Sequence, residues 1–343
     1  MRVRVFGQCV AVATLICGST ITVSPQTPSA AKPDPATILS ATRQALGGDT
    51  KLSAIKSFVV TGRTRKLSGD NLIPMEFEIS VELPDKYVRK DEVPAQESAP
   101  SSNGFNGDGL IQIPPPDTSA PRAMAPPAGG AGAGGRPGGP PPPTPEQLQA
   151  QRAAARVARV TTLKQDFARL TLGMFASSFP SYPLTFTYFG EAEAPQGKAE
   201  VLDVKGAGNF VARFFVNSDT HLPIMVSWQT PPTSVVMLAP GQPRPATLAP
   251  GAVVVTAPAP PAADAPQAEK DKYTKDVTDL RRKTMTETKV EHRLYYQDYR
   301  ESDGVQFPYR LRRAIGTDTI EETTFDRFKL NAKIEAKKFE VVK

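Results

Sequence analysis

The chain has 343 residues, and its 35 Pro and 25 Gly cluster in a few stretches, so the part that can fold is shorter than the length suggests. Its 41 Lys and Arg against 35 Asp and Glu leave a net charge of +6, a mild basic balance that allows peripheral contact with anionic lipid head groups. Because these basic residues form no stripe interleaved with aromatic residues, the sequence does not indicate nucleic-acid binding.

The N-terminal segment has the features of a secretory signal peptide. Arg2 and Arg4 form a short positive region, residues 9–17 form an apolar run too short to span a bilayer, and residues 29–31 offer a small-residue cleavage site. We therefore predict a signal peptide at 1–31 and a soluble protein that is exported, for example to the periplasm. An uncleaved N-terminal anchor is the alternative.

Both cysteines of the chain, Cys9 and Cys17, lie within this leader. Neither follows the small residues that lipid attachment at a cysteine needs, so lipidation is only a minor alternative. The mature chain is predicted to have no disulfide and no catalytic thiolate, and its stability must come from an ordinary hydrophobic core.

The first part of the remaining chain predicts a helix and then strands. Residues 35–45 carry an apolar stripe and are followed by Gly47-Gly48, which end a helix. Residues 55–67 and 87–93 are rich in strand formers, and residues 75–83 between them alternate apolar and polar side chains without a break. A sheet with one apolar and one polar face is antiparallel in most cases.

Two Pro-rich stretches are predicted to be disordered insertions, at 114–144 and at 230–268. Just before the first, residues 103–113 are consistent with one strand around a turn, and inside the second, residues 235–238 are consistent with a short strand. A long amphipathic helix is predicted at 145–175. Thr occupies the cap position, Pro occupies the first position, and apolar residues recur every three or four residues. Packing on the sheet is favoured over a membrane-surface helix, because its polar face carries both signs of charge.

The rest of the chain predicts strands joined by short polar turns, at 184–189, 199–205, 209–216, 222–229, 283–300, 305–314 and 320–330. Strands without helices between them form a meander rather than a parallel array. We therefore predict an α+β, mainly β fold at 32–343: one domain built on a curved antiparallel half-barrel of about 9–11 strands that two helices cap.

Several segments carry a resemblance to a known family. These are Leu46–Gly62, which begins the first strand, the hairpin segments 200–205, 210–216 and 220–224, and the closing segments Tyr296–Pro308 and Glu321–Asn331. In element order and turn placement the chain resembles outer-membrane lipoprotein-sorting-like proteins, the LolA/LolB superfamily that also includes the sensor domain of RseB-type regulators. The resemblance implies an incomplete barrel with helices at its mouth and an apolar hollow for acyl chains. The long Pro/Gly-rich insertions depart from the simple carriers.

Catalytic and metal-binding patterns are not found in the sequence. The two histidines, His221 in a turn and His292 in a strand, have no partner at metal-ligand spacing, and no nucleophile, phosphate-loop or dinucleotide motif is present. Asp298, Glu301 and Asp303 supply too few oxygen ligands for calcium and are explained by turn formation. The sequence therefore predicts a protein that is not an enzyme and that needs no cofactor or metal.

The positive evidence is the apolar face of the predicted sheet. Aromatic and aliphatic side chains recur at period two, and those predicted to line a ligand-binding hollow are Phe77, Ile79, Phe186, Tyr188, Phe214, Val226, Trp228, Tyr296 and Phe307. The same residues would equally form an ordinary core. Arg310, Arg312 and Arg313 are interpreted as lying partly on the polar face, where they would be solvated or would meet lipid phosphates.

Two main hypotheses follow, and a third, a secreted hydrolase, ranks last. In the first, an exported carrier or sensor holds a lipid, a lipoprotein acyl chain or another apolar ligand in the half-barrel. In the second, the same fold has a filled core and is a non-catalytic interaction module that engages another envelope protein. Whether the inside of the sheet is hollow separates the two.

Overall fold

The computed structural model describes residues 32–69, 71–94, 99–115, 144–194 and 197–341. Its helices are α1 (Pro35–Ala45), α2 (Asp49–Ala54), α3 (Pro145–Phe175) and α4 (Gln267–Glu287), with a short 3-10 helix at Ala336–Phe339. Its strands are β1 (Ser57–Ser68), β2 (Asn71–Glu82), β3 (Lys86–Glu92), β4 (Ser101–Asn106), β5 (Gly109–Ile113), β6 (Leu184–Ala194), β7 (Gly197–Gly206), β8 (Phe210–Asn217), β9 (Pro223–Thr230), β10 (Ser234–Leu238), β11 (Ala252–Thr256), β12 (Val290–Ser302), β13 (Val305–Ile315) and β14 (Asp318–Leu330).

The main sheet contains twelve strands in the order β5-β4-β3-β2-β1-β14-β13-β12-β9-β8-β7-β6. All of its paired strands are antiparallel, and its two end strands, β5 and β6, do not pair with each other, so the sheet is open. The pairing of β1 with β14 and of β12 with β9 places the C-terminal strands in the middle. The predicted class, α+β and mainly β with an open antiparallel half-barrel, is confirmed, with more strands and more helices than expected.

One face of this sheet packs against the C-terminal half of α3, and we call it the inner face. The alternation in β2 determines which side chains reach it: Phe77, Ile79 and Val81 are buried there, whereas Glu76 is exposed. Residues 167–175 of α3 are buried without exception, whereas its N-terminal half is mostly exposed. The main hydrophobic core therefore lies between the inner face and the C-terminal end of α3, and Ile38 of α1 and Leu52 of α2 belong to it.

The N-terminal end of α3 was predicted correctly. The side chain of Thr144 accepts a hydrogen bond from the backbone N–H of Gln147, whose own side chain accepts one from the Thr144 N–H. Pro145 occupies the first turn, where its missing N–H costs nothing. At the other end Arg43 of α1 donates to the carbonyl oxygen of Phe175 at 3.2 Å.

The prediction of one long strand at 283–300 was wrong. Residues 283–287 belong to α4, and β12 begins only at Val290. The threonines that suggested a strand donate their hydroxyls to carbonyls one helical turn back, as Thr284 does to Leu280 at 2.9 Å. The half-buried stripe Tyr273, Val277 and Leu280 is too sparse to have marked a helix clearly. The short helix α2 was missed for a similar reason, since its six residues are too few for periodicity.

Residues 230–268 also differ from their predicted disorder. The expected short strand at 235–238 is present as β10, and the Val-rich β11 pairs with it in parallel, from Ser234 opposite Ala252 to Leu238 opposite Thr256. Helix α4 packs on β10. Both strands are rich in β-branched residues, which favour strand formation. The surrounding Pro and Ala made this pattern hard to recognise in the sequence.

Other predictions are refined or lie outside the described part of the chain. Residues 103–113 form the hairpin β4-β5, because Gly107 adopts a φ of +57° between the two strands. The predicted signal peptide at 1–31 and residues 116–143 of the first insertion lie outside the described residues. Among the helices of the described ranges, none is long and apolar enough to cross a membrane.

Candidate functional site

The structure brings the predicted hollow-lining residues together in one apolar cluster on the inner face. Seven of them are buried in its core, and Phe186 and Tyr188 on β6 are half-buried at its margin. Period two therefore assigned the face correctly. These side chains pack on one another and on α3 rather than around an open space, so their contact with a ligand stays a prediction.

Helix α3 approaches the sheet closely at its C-terminal end. The ring of Phe175 lies 6.0 Å from that of Phe58 and 6.1 Å from that of Phe307. The hydroxyl of Tyr299 donates to the carbonyl of Gly173 at 2.9 Å, and the hydroxyl of Tyr296 donates to the carbonyl of Arg169. Aromatic side chains thus fill this part of the inner face.

A narrow space of about 60 Å³ remains beside α3, and we call it the seam. Its apolar wall consists of Leu170 from the helix and Ile79, Leu294, Leu311 and Phe325 from the sheet. Its polar wall consists of Tyr87, Arg89, Asp166, Arg313, Glu321 and Thr323. The seam is therefore amphipathic, with both walls shared between helix and sheet.

One charged group of the seam is centred on Arg89 of β3. Its Nε donates to Asp91 at 2.7 Å, its guanidinium lies 3.6 Å from Glu321, and it covers the ring of Phe77 at 4.6 Å. Burial alone would lower the pKa of Arg89, but the two carboxylates outweigh it and the pKa is raised. Burial raises the pKa of the neighbouring Tyr87 to about 12, so this phenol stays neutral.

A second charged group joins α3 to β13. The same oxygen of Asp166 lies 3.0 Å from Arg169 and 3.5 Å from Arg313. Arg169 is buried, and its guanidinium lies 4.3 Å from the ring centre of Trp228 and 5.0 Å from that of Phe210. Burial lowers the pKa of Arg169, Asp166 opposes this, and Arg313 adds to it.

His292 borders this second group. Its ring stacks on Trp228 with centroids 5.3 Å apart, and its Nε2 lies 2.9 Å from the hydroxyl of Thr230. Burial lowers the pKa of His292, and the positive charges of Arg313 and Arg169 lower it further. The ring is therefore neutral near pH 7. His221 lies in the turn between β8 and β9, as predicted, with a φ of +57°.

The polar groups at the seam are guanidiniums, carboxylates and the hydroxyls of Tyr87 and Thr323, with the imidazole of His292 beside them. These groups can pair with a charged or polar ligand. Within the described ranges, no group of three or more His, Cys, Asp and Glu side chains is placed to hold a metal ion.

The polar wall was missed in the sequence, and the interpretation of Arg313 as partly on the polar face was wrong. Arg310 and Arg312 do lie on the outer face, where Arg310 approaches Glu322 at 3.9 Å and Arg312 covers the ring of Tyr295 at 4.1 Å. Arg313 shares the parity of Val305 and Leu311 and therefore points inward. The inward position of Arg313 could have been predicted from the two-residue alternation of β13, which places it on the same face as the apolar residues, instead of from its charge.

An open antiparallel sheet with a helix packed on its inner face defines the structural class of the protein. No family model matches the chain, and no curated protein matches it. Among solved structures it is similar to a LolA superfamily protein from Nitrosomonas europaea, at 12% identity and a TM-score of 0.43, over 91% of this chain and 98% of that chain.

A putative outer membrane lipoprotein-sorting protein domain from Vibrio parahaemolyticus is similar at 7% identity and a TM-score of 0.40, over 89% of this chain and 97% of that chain. A DUF1329 family protein from Desulfovibrio piger is similar at 7% identity and a TM-score of 0.36, over 90% and 98%. The superfamily that the sequence resembles is thus represented among the structures to which the chain is similar.

Proposed function

We propose that the protein is a non-catalytic, exported binding protein of the cell envelope that takes an apolar ligand along the seam. The ligand would be a lipid, the acyl chain of a lipoprotein or another apolar molecule, and the protein would act as a carrier or a sensor. The observation that supports this is the amphipathic seam itself, whose apolar wall is divided between a helix and the inner face. Parting α3 from the sheet would expose a continuous apolar surface on both sides.

The size of the seam determines how a ligand could enter. A volume of about 60 Å³ is well below the roughly 150 Å³ of a cavity that holds one benzene molecule, so it is too small for an acyl chain. Burying ~10 methylenes at about 0.8 kcal/mol each yields roughly 8 kcal/mol gross, which would give micromolar affinity before the cost of displacing α3 is subtracted. The ligand must therefore replace contacts that α3 now makes, and binding requires α3 to move away from β13 and β14.

The test is mass spectrometry of the gently purified protein under native conditions, together with uptake of a fluorescent acyl probe. Leu170→Trp fills the seam from the helix side and is expected to weaken probe binding by roughly tenfold or more. Val157→Trp is the matched control, because Val157 lies on the same helix with 66% of its surface exposed. Equal probe binding by the two variants would contradict a ligand site in the seam.

The packed inner face supports a second candidate, a protein-protein interaction module with a filled core. The end strands β5 and β6 leave their outer edges unpaired within the main sheet, and β6 carries Phe189 with 51% of its surface exposed. An extended segment of an envelope partner could pair with such an edge. Absence of bound lipid and of probe uptake in the wild-type protein would favour this function over the first.

A further inference from the structure

We propose that Arg169 and Arg313 form a subsite for an oxyanion, a phosphate or a carboxylate, at the place where Arg313 and Asp166 line the polar wall of the seam. The inference rests on the proposed function and deepens it: the ligand would be an anionic amphiphile, with its chain along the apolar wall and its charged group between the two guanidiniums.

The two charged groups at the polar wall of the seam differ in net charge. Arg89 has two carboxylates, Asp91 and Glu321, within 3.6 Å. Arg169 and Arg313 instead share one oxygen of one carboxylate, that of Asp166. The first group therefore carries one negative charge in excess and the second one positive charge in excess. An anion that enters the seam is attracted to the second group.

Hydrogen-bond donors are also left over at the second group. The Nε atoms of Arg169 and Arg313 are buried and have no hydrogen-bond partner within the described residues. A guanidinium carries five N–H donors, and buried donors are normally paired. The side chain of Arg169 is only 8% exposed, so water reaches it poorly. Unpaired donors on two neighbouring cations are the feature expected of an anion subsite.

Aromatic rings hold the arginines in place without using their N–H groups. Trp228 lies 4.3 Å from the Arg169 guanidinium and 5.8 Å from that of Arg313. Stacking on a ring face leaves the edge of a guanidinium free to donate in its own plane. The two cations are thus oriented before any ligand arrives.

His292 reports the positive potential at the same place. Burial lowers the pKa of His292 most, and the positive charges of Arg313 and Arg169 lower it further. The negative charge of Asp166 opposes them. The potential at the ring is therefore positive despite the nearby carboxylate. An oxyanion bound between the arginines would offset it.

The seam adds the apolar half of the ligand. Arg313 and Asp166 lie in the polar wall, and Leu311, two residues before Arg313 on β13, lies in the apolar wall. A charged group held by Arg313 would therefore have its chain directed along aliphatic side chains of the same strand and of α3.

The test compares two amphiphiles that differ by one phosphate: 1-lauroyl lysophosphatidic acid and 1-lauroylglycerol. The wild-type protein is expected to bind the phosphate-bearing lipid at least roughly tenfold more tightly. In Arg313→Gln the ratio of the two dissociation constants should fall to about one, whereas Arg313→Lys should keep most of the preference because it keeps the charge. Arg310→Gln, on the outer face of the same strand, is the matched control and should keep the wild-type ratio.

A wild-type ratio near one would overturn the subsite while leaving the proposed function intact, and so would an unchanged ratio in Arg313→Gln. If neither lipid binds, the proposed function fails. Titration with inorganic phosphate alone then decides the subsite: binding that Arg313→Gln abolishes would keep it as a site for a free anion, and no binding would overturn it as well.

Discussion

The two long helices of the protein are stabilised in different ways. In α3 residues 167–175 are all buried against the inner face, and the rings of Phe167 and Phe175 contact rings of four strands and that of Phe179. In α4 only Thr284 is buried, and the helix instead carries ion pairs at helical spacing, such as Lys272 with Asp276 at 2.9 Å. The first helix depends on tertiary packing, and the second depends largely on local interactions.

This difference separates α3 and the inner face, which form the candidate site, from α4, which lies outside that site. Contacts between α3 and the sheet form the core and both walls of the seam. Contacts between α4 and the sheet are few, since α4 packs mainly on β10. Changes in α3 should therefore alter the stability of the whole domain, whereas changes in α4 should act locally.

The same substitution in each helix gives the largest expected contrast. Leu172 in α3 is fully buried, and Leu172→Ala should lower the free energy of unfolding by about 2–5 kcal/mol, because it leaves a cavity in the core. Leu280 in α4 is only half-buried, and Leu280→Ala should cost about 1 kcal/mol or less. Urea unfolding of both variants measures the difference, and equal losses would show that α4 is part of the cooperative core.

A smaller effect is expected where α3 approaches the sheet most closely. A Cβ built on Gly173 would lie 2.3 Å from ring atoms of Tyr296, so Gly173→Ala must displace that ring or the helix. Alanine favours a helix over glycine by about 1 kcal/mol. Overpacking in a core costs about 1–3 kcal/mol, so the net change should be a loss.

Thermal unfolding checks this result, with Gly173→Ala/Tyr296→Leu as the companion variant. The smaller side chain at 296 should restore part of the lost stability if the ring is the obstacle. A gain in stability from Gly173→Ala alone would mean that the helix is not held tightly there.

Much of this fold could be predicted from the sequence because period-two alternation survives in the strands of the main sheet. Phe77 and Ile79 on β2, and Val305 and Phe307 on β13, lie on the face that their spacing assigned to them. Helix α3 was predicted because its N-terminal capping residues and its amphipathic apolar stripe both indicate a helix. Helix α4 was not, because its apolar residues are few and its threonines favour strands when judged by propensity alone.

The candidate site was less predictable for two physical reasons. The inward-facing Arg313 was judged by its charge rather than by its parity in the strand, and the inward position of Arg89 was not predicted. The depth to which α3 enters the inner face depends on Gly173 meeting Tyr296, a contact between residues far apart in the chain. No local sequence pattern contains that information. The apolar inner face could therefore be predicted, but the way α3 packs on it could not.

The smallest predicted effect is a pH dependence that belongs to the α3 region, since neither histidine lies in α4. The pKa of His292 is lowered from its ordinary value of 6.5 by burial and by the charges of Arg313 and Arg169. Between that lowered pKa and 6.5 the unfolded chain binds more protons than the native one, so the free energy of unfolding decreases as the pH falls through this window and is constant above it.

Titration of the ring signals by NMR, with His221→Gln to assign them, should give a pKa for His292 below 6.5. Arg313→Gln should raise that pKa, because it removes one of the two positive neighbours, whereas Arg310→Gln on the outer face should leave it unchanged. A His292 pKa at or above 6.5 in the wild-type protein would mean that the potential at the ring is not positive, which would contradict the excess positive charge inferred beside the seam.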